Sequence, residues 1–290
     1  MTTPPQNNHT NSIHLYYWRG HKNFGDELSP YLIEKITGIE PIHANQKDPN
    51  KLVAVGSLLT NDVINSGSII WGIGTLTKKS LEKSPVPFLP LNRKIKSLLG
   101  IKRNPKVYAV RGPLTRDLLI NRNIHCPEVY GDPAILLPNF FKPIDGKAKF
   151  SAGLILHHSQ DHLINDDSLR SLNIKPITIF REGADQIEKF ITEVASCEKI
   201  FSTSLHGVIV AQAYGIKAQW IRLSNMPIHA DEGFKFADYF LGSNQENQTP
   251  VVLNDLSEKQ IATLLSIQPP PIREFTNRQR LLEAFPTDIV

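Results

Sequence analysis

The chain has 290 residues, a formal net charge of +4 and a pI near 8.9, with 40% hydrophobic and 21% charged residues. That length allows one large domain or two of ordinary size, and that balance supports a sizeable core and excludes global disorder. The mild basicity suits an anionic ligand or surface, but no aromatic-and-glycine signature of RNA binding accompanies it.

The opening "MTTPPQNNHTNS" is polar and reads as a disordered N-terminus over 1–12. It lacks the apolar stretch of a secretion signal, and no apolar run nears the ~18 residues of a membrane span. A cytoplasmic protein is expected. Cys126 and Cys197 lie far apart without a CxxC partner and read as reduced and buried.

"IHLYYW" reads as a strand, followed by "NFGDELSPYLIEKITG", a turn and a helix ending at Gly38. "KLVAVGS", "SIIWGIGT" and "KVYAVRG" are further strands, and "PLTRDLLINRN" is a helix with Pro113 in its first turn. "EVYGDPAILLP" is a short strand and a turn. The pattern pauses at "NFFKPIDGKAKFSAG", the best linker, and restarts with the strands "AGLILHH" and "IKPITIF". "ADQIEKFITEVASCE" carries Ile187, Phe190, Ile191 and Val194 at helical spacing. The strand "KIFSTS", a helix from Gly207 and the strand "KAQWIRL" follow, and the tail "FTNRQRLLEAFP" is an amphipathic helix. Apolar strands alternating with helices predict an α/β protein with parallel sheets covered on both faces. The expected layout is a Rossmann-like domain over 13–145, a second over 146–275, and a C-terminal helix over 276–290 packing across the join.

Ligands of open α/β sheets bind beyond the carboxyl ends of strands. Polar residues collect there: Asn23, Gly25 and Asp26; Gly56 and Ser57; Arg111; Asp132; His157 and His158; Arg181 and Glu182; Ser202, Thr203, Ser204 and His206. At "STSLHG" the first backbone N–H groups of a helix near Gly207 favour an anion. His206 is placed to hold and donate a proton near neutral pH. "VRGPLT" repeats the device, with Arg111 as a planar cationic fork beside a helix start. Two anion sites suit a ligand carrying both phosphate and carboxylate. The plainer readings are a structural His206 at a strand end and an Arg111 in an ordinary ion pair. "HHSQDH" lacks metal-ligand spacing, so no metal is expected. "WGIGT" is not a dinucleotide fingerprint, and neither a P-loop nor a GxSxG elbow is present.

The motifs "NFGDELS", "AVGSLL", "IIWGIGT", "VYAVRGPLTRDLL", "EVYGDPAILLP", "SLHGVIVAQAYGI", "FKFADYF" and "LLEAFP" together resemble the polysaccharide pyruvyltransferase family, and especially its xanthan-type ketal-pyruvate transferases. The resemblance implies a GT-B-like pair of facing Rossmann-type domains with the active site between them. It implies phosphoenolpyruvate as donor substrate, no cofactor, and a sugar hydroxyl pair as acceptor, in an exopolysaccharide or a lipid-linked oligosaccharide precursor. Arg111 and His206 match the family's arginine and histidine, and Lys235 in "GFKFADY" matches a basic residue that helps bind the donor. On this reading His206 is the acid, Asp26 or Asp132 the base, and Arg111, Lys235, Ser204, Gly207, Ser57, His158 and Asn23 hold substrate. Asp132 precedes Pro133, so shaping a turn is its plainer role. The rival readings are a glycosyltransferase using a nucleotide-sugar donor and a non-catalytic carbohydrate-binding protein. Residues 85–106, apolar and basic together, are expected to touch an anionic membrane at the inner face; a solvated surface loop is the alternative.

Overall fold

The computed structural model describes residues 12–81, 104–144, 148–228, 231 and 233–289. The N-terminal sheet contains β1 (His14–Leu15), β2 (Ile42–His43), β3 (Leu52–Val53), β4 (Ile69–Ile70) and β5 (Lys106–Val107) in the order β2-β1-β3-β4-β5. The second contains β6 (Ala152–Ile155), β7 (Ile174–Pro176), β8 (Lys199–Ser202), β9 (Lys217–Leu223) and β10 (Val251–Leu253) in the order β10-β9-β8-β6-β7. Every pairing is parallel. Read outward from the first strand of each, the two orders are the same. In both, the chain steps to one side and then crosses back, so a switch point falls between β1 and β3 and between β6 and β8.

The helices are α1 (Phe24–Thr37), α2 (Asn61–Asn65), α3 (Pro113–Ile120), α4 (Asp166–Ser171), α5 (Ala184–Ala195), α6 (Leu205–Ala213), α7 (Gly233–Gly242), α8 (Glu258–Ser266) and α9 (Arg278–Glu283). Local chemistry sets their ends. Asn23 caps α1 by accepting the Asp26 N–H at 3.2 Å, and Gly38 closes it in the left-handed region at φ 71°. Pro113 opens α3 where a missing N–H costs nothing. Apolar spacing in α5 buries Ile187, Phe190, Ile191 and Val194, as the sequence predicts.

The largest core cluster runs through both halves, from Leu15 and Trp71 to Ile155, Phe190 and Phe236. Phe24 of α1 stacks on Phe190 of α5 at 3.9 Å between ring centroids. The helix α6 packs on a 3-10 turn at Pro133–Asn139, where the sequence suggests only a short strand and turn. Tyr130 does form an isolated parallel bridge with Val110. Although α7 lies in the chain between β9 and β10 of the second sheet, it packs on α3 of the first half. The C-terminal segment touches both halves. Trp71 Nε1 donates to Leu281 O at 2.9 Å, Asn277 Nδ2 to Tyr130 O at 2.7 Å, and an Arg278 guanidinium nitrogen to Ala213 O at 2.6 Å. Cys126 and Cys197 are free and buried. Among the described residues no helix is long and apolar enough to cross a membrane.

The expected tail over 1–12 lies, Ser12 aside, outside the described residues. So does the expected membrane element, except for residues 104–106. Its Lys106 begins β5 and pairs with Asp288 at 3.2 Å.

Candidate active site

A cleft of about 420 Å³ opens where the two switch points face each other. The loop after β1 and the start of α1 contribute Trp18, His21, Asn23, Gly25 and Asp26 to its lining. Gly56 and Ser57 follow β3, and His157 and His158 follow β6. Ser204, Leu205 and His206 begin α6, and Lys235 comes from the first turn of α7. A second cavity, about 470 Å³, lies at the other end of the first sheet beside His14, Leu52 and Lys106. It stands at the amino ends of the strands, away from the switch points where such sheets hold ligands.

Seven of the ten residues singled out from sequence line the cleft: Asn23, Asp26, Ser57, His158, Ser204, His206 and Lys235. The other three stand behind it. Arg111 is fully buried. Its Nε donates to Asp238 Oδ2 at 3.1 Å, Nη1 to Ser57 Oγ at 2.7 Å and Nη2 to Thr75 O at 2.8 Å. Asp238 also accepts from the Thr115 backbone N–H at 2.9 Å and from Thr115 Oγ1 at 2.6 Å. The guanidinium therefore reaches the cleft through Ser57 and through its charge. Asp132 lies behind His206, with Oδ2 3.7 Å from Nε2. Its other oxygen accepts from the Ala134 N–H at 3.1 Å, the turn-shaping role that Pro133 suggested. Gly207 gives close passage: a Cβ there would meet Ser202 Oγ at 2.4 Å.

Protons are displaced from their ordinary places. His206 is pushed down to about 3 by burial, then by the positive charges of Arg111 and Lys235. The resting imidazole is neutral, against the expectation of a proton held near pH 7. Asp132 is raised to about 6 by burial, against the lowering effects of the Ala134 N–H and Arg111. Asp26 is raised to about 7, again by burial, although Asn23 Nδ2 donates to its Oδ2. His206 Nε2 and Asp132 Oδ2 are both buried without a hydrogen-bond partner. The 3.7 Å between them leaves a gap that a small closing motion would turn into a hydrogen bond. His206 Nδ1 faces the start of α1, where a Cβ on Gly25 would come within 2.2 Å of it. "NFGD" thus has a tertiary reason: the glycine makes room for an imidazole from the other half.

Ser202 and Thr203 brace the loop and do not line the cleft. Ser202 Oγ donates to Ser204 O at 2.8 Å, and Thr203 Oγ1 to Gln160 Oε1 at 2.7 Å. Ser204 makes no capping hydrogen bond with its side chain, although it stands at the N-cap of α6. Arg181 is occupied by Gln186 and Glu193. Among the described residues no cluster of His, Cys, Asp or Glu could hold a metal ion.

Sequence reasoning missed Trp18, His21 and Asp238. The first two sit just past β1, where the sequence reads as a strand running on to Trp18 although β1 ends at Leu15. Asp238 had a signal, an acid within the apolar "FKFADYF", yet its partner Arg111 is 127 positions away.

A cleft between two parallel sheets that holds the Lys235 ammonium, a helix start and a desolvated carboxyl group, with the Arg111 charge buried behind it, can take an anionic substrate. A family model described as polysaccharide pyruvyl transferase matches residues 23–225, well over half of the chain, and the chain belongs to that family. The protein is therefore a transferase whose acceptor is a sugar. The match begins at Asn23 and ends before Lys235 and Asp238. An uncharacterized protein of Acanthamoeba polyphaga mimivirus is 25% identical over 238 residues, covering 80% of this chain and 74% of the relative.

Proposed function

We propose that the cleft binds phosphoenolpyruvate and transfers its pyruvyl group to two hydroxyls of one sugar, making a ketal and releasing phosphate. The observation that carries this is the convergence of His206, Lys235, Asp26 and the start of α6 on one cleft, with Arg111 behind Ser57. A donor with a phosphate and a carboxylate fits that charge. The arrangement is GT-B-like in this reading, with Rossmann-like domains over 13–145 and 146–275 and a C-terminal segment spanning them.

The steps balance without an oxidant. C3 of the donor gains a proton, one sugar oxygen bonds to C2, and the bond from C2 to the phosphate oxygen breaks. The second sugar oxygen then bonds to C2. Two hydroxyl protons are released; one completes the methyl group and the other leaves with phosphate. The reaction needs no cofactor, and cationic side chains with a helix N-terminus supply the electrostatic work. In the free protein Arg111 and Lys235 help hold His206 neutral. Donor charge offsets them, so His206 gains proton affinity as the donor binds and becomes the acid at the leaving phosphate. Asp132 orients the imidazole from behind. Asp26, titrating near 7 on the cleft wall, is the base for a sugar hydroxyl. Asn23 holds the Asp26 carboxylate, and His158, Ser204 and Ser57 contact substrate.

We further propose a lipid-linked oligosaccharide acceptor met at the cytoplasmic membrane face. The test is incubation with phosphoenolpyruvate and β-glucosides, β-mannosides and β-galactosides, reading phosphate release and product mass. A product heavier by one pyruvyl ketal supports the proposal. Release of nucleotide from an activated sugar, with none of phosphate from phosphoenolpyruvate, would replace it with glycosyl transfer.

A further inference from the structure

Trp18 lines the cleft and is nevertheless 46% exposed, whereas the other two tryptophans, Trp71 and Trp220, are 0% and 6% exposed. A large indole left in water adds little to the core, and at a polar cleft it marks a recognition surface. The loop is shaped around it. A Cβ on Gly20 would meet the indole at 2.5 Å from Cζ2 and 2.6 Å from Nε1, so only glycine lets the ring lie on the backbone there.

The same cleft holds a row of imidazoles that crosses from one half to the other. His21 and His158 have ring centroids 5.1 Å apart, and His158 and His157 3.9 Å apart. Leu58 and Leu76 add apolar lining, and Asp26 lies on the same cleft. These groups differ in kind from the Lys235 ammonium on the same cleft and the Arg111 charge buried behind it. A phosphate or carboxylate gains nothing from an indole face. A pyranose ring does: its C–H face is apolar, its edge is a rim of hydroxyls, and an aromatic ring covers the first while imidazoles and a carboxylate meet the second.

We propose that Trp18, with His21 and His158, forms the acceptor subsite and takes the pyranose ring of a glycoside, its C–H face on the indole. The assignment of this glycoside as acceptor rests on the pyruvyl-transfer reading; the existence of a sugar subsite does not. Trp18 is the one tryptophan exposed to solvent, so its emission reports occupancy without turnover. Methyl β-glucoside, β-mannoside and β-galactoside are titrated into the full chain, with iodide quenching as a second readout. At least one glycoside is expected to shift the emission and shield it from iodide, and W18F is expected to lose the response. With a glycoside that is turned over, W18A is expected to raise the acceptor KM about tenfold or more and to leave the donor KM within about twofold. W18F, which keeps a ring, is expected to fall between. Circular dichroism confirms that the variants fold, as substitution of an exposed side chain allows.

Emission indifferent to all three glycosides overturns the subsite, as does an unchanged acceptor KM in W18A. Glycoside-responsive emission without any consumption of phosphoenolpyruvate keeps the subsite and defeats pyruvyl transfer. Turnover with equal acceptor KM in wild type and W18A does the reverse.

Discussion

Substituting Asp26 with asparagine is expected to stabilise the protein, and to do so only where the carboxyl group would be ionised. Burial raises Asp26 from 3.8 to about 7. Folding therefore favours the protonated form, and the folded state binds more protons than the unfolded state between those values. Stability contributed by the neutral carboxyl is intact below the unfolded value and lost as pH rises through the folded one. At about 1.4 kcal/mol per unit, a shift of roughly three units sets a ceiling of about 4 kcal/mol above pH 7. At pH 5 the same shift corresponds to about 2 kcal/mol, and below pH 4 to almost nothing. Water in the cleft screens part of this, so roughly half the ceiling is the working figure. D26N keeps the shape and the oxygen that accepts from Asn23 but never ionises. Urea unfolding of both proteins from pH 4 to pH 8, at equal m, reads the difference directly. The midpoints are expected to coincide near pH 4 and diverge as pH rises, with D26N the more stable and inactive in transfer. A gap that stays constant with pH would refute the desolvated carboxylate, and with it the physical basis for Asp26 as the base.

Arg111→Ala is expected to lose about 3–5 kcal/mol, because it strands the buried Asp238 carboxylate; thermal melts check it, and Arg111→Met with Asp238→Asn is expected to recover much of the fold without the activity. Gly25→Ala should favour helix α1 locally by up to about 1 kcal/mol, yet its methyl group would strike His206. That clash costs about 1–3 kcal/mol, so a lowered melting temperature with turnover down is the expected pair of results, and unchanged turnover would remove the contact from the mechanism. His206→Ala is expected to lower turnover by ~10²-fold or more with the fold kept, measured by phosphate release; near-normal turnover would take His206 out of the reaction.

Alternation of short apolar runs with helices made both parallel sheets legible, since a doubly covered sheet needs strands that are apolar throughout. Gly38 and Pro113 marked helix ends because capping is chemistry within one turn. The edge strands β2 and β10 escaped notice. They are two and three residues long, partly exposed, and exist because a neighbour offers a ladder. Strand-end position gathered Asn23, Asp26, Ser57, His158, Ser204 and His206, because the rule that places ligands there is a rule of topology. Its limits are equally physical. Whether Arg111 meets ligand or an internal acid depended on where α7 folds, and that helix crosses back onto the first half. The direction of each proton shift was also absent from the sequence. His206 and Asp26 have ordinary side chains, and it is burial between the halves, with Arg111 and Lys235 brought near, that lowers one and burial that raises the other. Trp18 was legible as a residue but not as a surface. Inside a strand an indole belongs to the core, and only the end of β1 at Leu15 and the bare backbone of Gly20 leave it facing the cleft.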